Sequence, residues 1–181
     1  IETARLKVVH HPRPVTAMTF HPSRSQLITA GMNGQIHSWN SISDSAASGD
    51  ETAFAIRQSL DNHTDQVNDL AFDSDGRTLV SASHDKSVRV WDWESQSCRS
   101  TLEGTDGRVI SCAISADGTT VLSAGQDFKL RVWDVAAGEC RSTIEDGMSG
   151  CSRFVFDETR QLAIAYGWGR DVALCNLNDV E

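Results

Sequence analysis

The chain has 181 residues, 39% of them hydrophobic, enough for a sizeable core in a globular protein. A net charge of −9 repels phosphate backbones and argues against nucleic-acid binding over a broad surface. No apolar run approaches the ~18 residues of a membrane span and no signal peptide is present. The five cysteines, odd in number and without a C-x-x-C pair, read as reduced thiols in an intracellular protein of cytoplasm or nucleus, with no metal or cofactor.

The chain opens on Ile1, which suggests a segment of a longer polypeptide. Residues 3–9 align with residues 97–103 and predict an outer strand of a neighbouring or closing sheet. An alternating strand follows at 15–20, with copies at 67–72, 109–114 and 151–156. Each copy runs into a polar turn. Asp75-Gly76 and Asp117-Gly118 are strong hairpin signals, because glycine tolerates the positive φ of a tight turn. Second short strands are predicted at 26–30, 78–82, 120–124 and 162–165. Third strands end on Trp39-Asn40, Trp91-Asp92 and Trp133-Asp134, with a decayed copy at 173–176. More polar fourth strands follow at 97–102 and 139–144.

Trp91 and Trp133 lie 42 residues apart, whereas Trp39 lies 52 before Trp91. The excess is accounted for by the Ser- and acid-rich stretch 41–51, whose low hydrophobicity predicts a mobile loop. A period in the forties means one supersecondary unit used repeatedly. The units fall at about 10–54, 55–103, 104–145 and 146–181. Four short antiparallel strands cannot bury both faces of their sheet alone, but stacked sheets can, which is the logic of an all-β propeller with one sheet per blade.

The Trp-Asp endings, the Asn62-His63 lead-in and the 42-residue period resemble the WD40-repeat family. The resemblance implies a structural hydrogen-bond network of His, Ser/Thr, Asp and Trp. By position these are His11, Thr29, Asn33 and Trp39 in the first copy, and His63, Ser81, Asp85 and Trp91 in the second. The third has Thr105, Ser123, Asp127 and Trp133. The fourth has Gly147, Ala165, Gly169 and Cys175 and lacks the network, so Phe154, Phe156, Leu162 and Ile164 should hold it by apolar packing. The offset between the outer strand and the triplets implies four consecutive blades of a larger ring of about seven.

The same resemblance implies a narrow top face for partner proteins, with Met32, His84, Gln126 and Trp168 in the second turns and Gln66, Asn68 and Arg108 near the strand starts. Trp, Met and Arg are residue types that dominate interface energetics. The family's Trp-Asp-x-Arg adaptor motif is missing: Ile42, Glu94, Ala136 and Asn178 fill the fourth position. Ser48, three residues before Glu51, is a candidate for an acid-directed kinase.

Other constellations have plainer explanations. Ser81, His63 and Asp85 are the residue types of a hydrolase triad, but they recur in partial form in other copies and no G-x-S-x-G elbow is present. His10-His11 and His21 have no ligand at metal spacing beside them. Gly167-Trp168-Gly169 is followed by Arg-Asp rather than a helix, so it lacks the means to cradle phosphate. The expected function is a non-catalytic protein–protein interaction scaffold, a subunit of a larger assembly. The alternative is a hydrolase or isomerase acting at the propeller channel. For that reading Asp69 is the one ionisable residue among apolar or small neighbours such as Ala17, Met18, Leu70 and Ala113.

Overall fold

Side chains of successive strand residues point to opposite faces of each sheet, and apolar ones are buried where one described sheet meets the next. The computed structural model describes residues 11–39, 56–145, 151–157, 162–167 and 172–176. The expected outer strand at 3–9, the loop 41–51, Gly147, Trp168 and Gly169 lie outside the described residues.

The first blade holds β1 (Val15–Phe20), β2 (Leu27–Gly31), β3 (Ile36–Trp39) and β4 (Ile56–Leu60). The second holds β5 (Val67–Phe72), β6 (Thr78–Ser83), β7 (Val88–Asp92) and β8 (Ser97–Leu102). The third holds β9 (Val109–Ile114), β10 (Thr120–Gly125), β11 (Leu130–Asp134) and β12 (Glu139–Ile144). The fourth holds β13 (Cys151–Asp157), β14 (Leu162–Gly167) and β15 (Val172–Asn176). Within each sheet the strands are antiparallel and in sequence order. β4 pairs with β3, so residues 56–60 belong to the first blade, and the boundary expected near residue 54 moves beyond Leu60. The polar stretch Arg57-Gln58-Ser59 masked this strand, because only Leu60 of β4 is buried.

The core lies between sheets rather than within one. Ile28, Ile36, Val67, Leu79 and Trp91 pack together where blades 1 and 2 meet. Val80, Val90, Leu102, Val121 and Trp133 do the same for blades 2 and 3. Leu122, Leu130 and Val132 meet Ala163, Ala165 and Phe156 at the third junction. Burying a Val or Leu side chain stabilises by roughly 1.5–3 kcal/mol, so these layers dominate the energetics.

A β-bulge recurs in the first strand of every blade. The register skips Thr16, Asn68, Ile110 and Ser152 in turn. A bulge re-aims its side chain, and at Thr16 and Asn68 it aims at the next blade. Thr16 Oγ1 donates to the Val67 carbonyl at 2.5 Å, and Asn68 Nδ2 donates to the Val109 carbonyl at 2.6 Å. Ile110, in the same position, has no donor to offer blade 4. The second junction has a further tie: Asp69 accepts from Ser111 Oγ at 2.7 Å and from Cys112 N at 3.1 Å.

The two ends of the stack are uncovered. Val67, Leu70, Val109 and Cys112 are buried against the preceding blade, yet their counterparts Val15 and Met18 in blade 1 are 40% and 65% exposed. At the other end, Val88, Val90, Leu130 and Val132 are buried against the following blade, whereas Val172 and Leu174 are 63% and 69% exposed. Asn68→Ala should remove the second-junction bond and leave the Val109 carbonyl unpaired. A loss of about 1–3 kcal/mol is expected from the denaturation midpoint, while Ile110→Ala lacks that hydrogen-bond term.

Candidate functional site

The Trp-bearing strands set the frame. Trp91 Nε1 donates to Ser81 Oγ at 2.8 Å, Trp133 to Ser123 Oγ at 2.8 Å, and Trp39 to Thr29 Oγ1 at 2.8 Å. A buried indole N–H needs such a partner. In blade 2 the chain continues. With the Ser81 oxygen accepting from Trp91, its own proton goes to His63 Nε2 at 2.7 Å, and His63 Nδ1–H donates to Asp85 at 2.7 Å. Asp85 also accepts from Thr64 N, Ser87 N and Ser87 Oγ. Burial pushes the Asp85 carboxyl upward, but the hydrogen bonds from His63, Ser87 and Thr64 outweigh it and hold it well below the usual carboxylate range.

The connectivity Ser–His–Asp is that of a hydrolase triad, but Ser81 is fully buried and its hydroxyl already accepts the Trp91 indole N–H. The geometry locks the turn before β7 to the segment leading into β5.

The other copies differ. In blade 1, His11 does not reach Thr29; its Nδ1 meets the Arg13 carbonyl at 2.5 Å. Asn33 Nδ2 donates to Gln35 instead of joining a network. In blade 3, Asp127 pairs with Arg131 at 2.6 Å, both side chains nearly buried. Thr105 Oγ1 donates to the carbonyls of Lys86 and Gly107 rather than joining Ser123. His21 ties two blades. Its Nδ1 accepts from Ser23 N and Arg24 N, so Nε2–H donates to the Gly76 carbonyl at 3.0 Å. A Cβ at Gly76 would stand 2.3 Å from the ring, so the turn closes only over glycine.

Four of the expected face residues come together in two pairs, and Met32 stands at the equivalent place in blade 1. Met32 N donates to Pro14 O, His84 N to Gln66 O, and Gln126 N to Arg108 O. Thus the same end of three successive blades carries Met32, then His84 with Gln66, then Gln126 with Arg108. Met32, Gln126 and Arg108 are exposed, and His84 and Gln66 are half-buried. Asn68 departs from its expected outward role, because its amide is committed to Val109 and to Gln66 Nε2.

One residue was missed. Phe128 is 54% exposed and stands at φ 59°, the position of Gly34 and Lys86 in the other blades. A bulky side chain in the left-handed region is strained and uncommon. The repeat alignment carries the signal, an aromatic in a column that holds Gly34, Lys86 and Arg170 in the other copies. At the opposite end, a cavity of about 350 Å³ opens between blades 2 and 3. Its Asp73, Asp92 and Asp117 already accept hydrogen bonds from their own turns.

The family description "WD domain, G-beta repeat" matches residues 4–40, 54–92 and 96–134, more than half the chain. The chain belongs to the WD40-repeat family. WD40 repeats generally mediate protein–protein interaction. The chain is 34% identical over 82 residues to "Cilia- and flagella-associated protein 52" of Chlamydomonas reinhardtii, covering 45% of this chain and 12% of that protein. It is 35% identical over 80 residues to "Mitochondrial division protein 1" of Kluyveromyces lactis, covering 42% of this chain and 11% of that protein. Among the described residues no helix is long and apolar enough to cross a membrane.

Two outcomes follow from this geometry. Ser81→Ala leaves the Trp91 N–H and His63 Nε2 without their shared partner, so chemical denaturation should show a loss of about 1–3 kcal/mol. Burial holds His21, His37 and His84 below the ordinary imidazole value, with His11 adding to the effect on His37 and Arg108 to that on His84. The unfolded chain therefore binds more protons than the folded one below pH ~6.5. Thermal melts should show full stability above that pH and a decline as the pH falls through it. A flat profile from pH ~7 to ~5 would contradict these burials.

Proposed function

We propose that the chain is part of a non-catalytic interaction scaffold, and that a partner protein docks across Met32, His84, Gln66, Arg108, Gln126 and Phe128. The observation that carries this is Phe128, an aromatic kept exposed in a strained turn where glycine would serve the fold better. An exposed aromatic and an arginine at the same end of one blade suit an interface centre. Trp168 is proposed for the same face from its position in the repeat. The two relatives carry names from unrelated settings, cilia and mitochondrial division. What they share with this chain is the repeat, which favours a general docking surface over one pathway. A channel enzyme finds no support in Asp69, whose carboxylate is taken up by Ser111, Cys112 N and Leu70 N. An intracellular setting suits the free thiols of Cys98, Cys112 and Cys140.

The ring is also a proposal. The uncovered apolar columns at Met18 and at Val172–Leu174 favour four consecutive blades of about seven, with further blades covering both ends. Val172→Asp with Leu174→Asp should barely alter the melting of residues 1–181 alone. In a polypeptide extended by flanking repeats the same pair should lower it sharply. Equal effects in both would contradict the larger ring.

For docking, Phe128→Gly with His84→Ala should deplete partners captured by the full-length parent, read by quantitative mass spectrometry against the unmodified chain. The melting temperature should not fall, because Gly relieves the strain at φ 59°. Unchanged capture would sink the proposed face.

A further inference from the structure

Blade 1 carries a defect that the scaffold reading leaves unexplained. Asn33 occupies the position of Asp85 and Asp127. Its side chain is placed as theirs are: a Cβ at Gly31 would lie 3.3 Å from Asn33 Oδ1, and one at Gly125 would lie 3.2 Å from Asp127 Oδ1. The same point at Gly31 lies 3.2 Å from the His11 ring, so Asn33 and His11 flank one spot. His37 fills the position of Arg89 and Arg131 and is 4% exposed. Its ring stands 4.9 Å from that of His11. His11 Nε2 and both His37 ring nitrogens are buried without a hydrogen-bond partner. In blades 2 and 3 a carboxylate sits in this slot and pairs with His63 or Arg131. One imidazole, His11, with the His37 ring packed on it, therefore lies beside a position where the other blades hold an anion, and in blade 1 that position holds an amide.

The amide is also chemically labile. Asn33 is the chain's only asparagine followed by glycine. Asn33 is exposed, in the turn between β2 and β3. The residues after Asp85 and Asp127 are Lys86 and Phe128, whose side chains crowd the following amide. Gly34 has none, and cannot gain one, since a Cβ there would stand 2.4 Å from the His63 carbonyl at φ 78°. Its N–H is held by a bond of 3.2 Å to Gly31 O, which must open before the nitrogen can react.

We propose that Asn33-Gly34 is a deamidation site whose aspartate product gives blade 1 the carboxylate that Asp85 and Asp127 give blades 2 and 3. The Gly34 nitrogen attacks Asn33 Cγ, forming an N–Cγ bond. The Cγ–Nδ2 bond breaks, and ammonia leaves with the proton lost from Gly34. Water then adds to Cγ of the succinimide, the N–Cγ bond breaks, and the proton returns to the Gly34 nitrogen. The net change is water consumed and ammonia released, with no oxidant or reductant. The new carboxylate lies beside His11, whose ring stands 4.9 Å from that of His37. Asp61 already acts on His37 electrostatically, and Gly34 packs against the backbone of His63 and Asp65. A charge at position 33 favours the protonated form of His37, so blade 1 should resist acidification better once converted.

The test ages the purified 181-residue chain at mildly alkaline pH and follows each asparagine by peptide mass spectrometry. The peptide bearing Asn33 should lose its amide ahead of those bearing Asn62 and Asn68, and Asn33→Gln should not convert. Conversion no faster than at Asn62 overturns the site. Separately, Asn33→Asp should melt about 2–4 °C above the parent near pH ~6, with a smaller gap near pH ~8. The gain should vanish in the His11→Gln, His37→Gln background. A gain that survives there, no gain at all, or isoaspartate as the sole product with a falling melting temperature overturns the repair.

Discussion

Everything in this fold hangs on a blade's inability to bury both of its own faces. A four-stranded sheet with alternating apolar residues on both sides needs a neighbour on each. The layers at Leu79–Trp91, at Val121–Trp133 and at Leu130–Ala163 are that requirement met three times. Trp91 and Trp133 sit at such layers with their rings buried, and each, like Trp39, aims its N–H at a hydroxyl of the neighbouring strand. The hydrogen bond fixes the angle of the ring, and burial supplies most of the free energy. Neither works without the other, because an unpaired indole N–H in that layer would itself be costly.

Polar ties refine this stack unevenly. The first two junctions add a bulge side chain bonded to the next blade's backbone, Thr16 to Val67 and Asn68 to Val109. The second adds Asp69, and the first adds His21 with its aromatic neighbours Phe72 and Trp93. At the third, Ile110 replaces the donor, and the described contacts are apolar. The hydrogen-bond network decays along a different axis, complete in blade 2, answered by Arg131 in blade 3, and reduced in blade 1 to the Trp39–Thr29 bond.

Strands, hairpins and the Trp column were legible in the sequence because they follow from periodicity and turn chemistry, which are local. β4 was not, since its Arg57-Gln58-Ser59 run has no alternation and its pairing with β3 spans a long connection. Candidate-site residues were legible only as positions in the repeat. The alignment placed Met32, His84 and Gln126 at one end of the blades, but it could not say that the bulge turns Asn68 into the next blade. Nor could it say that His11 bonds Arg13 in preference to Thr29. Both outcomes depend on side-chain direction, which a one-residue bulge or a short turn resets. Phe128 stands out in the repeat column as an aromatic, but the strain at its position is a backbone property, visible only once Gly34 and Lys86 are seen to share its positive φ.

A repeat separates frame from function by where its copies agree. Positions that agree, Trp91 with Trp133 or Ser81 with Ser123, face the junctions and do the same work each time. Positions that differ follow one of two patterns. Some lie within the frame and keep the chemistry by other means: Thr105 stands where blade 2 has His63, and Arg131 takes up the pairing with Asp127. Others, such as Met32, His84 and Gln126, and Lys86 with Phe128, sit where the frame asks only for a turn. Their diversity is free of packing constraint, so a side chain there that opposes the backbone's preference needs a reason outside the fold. Phe128 is the strongest such case among the described residues, and on that ground the face it shares with Arg108 and His84 carries the functional reading.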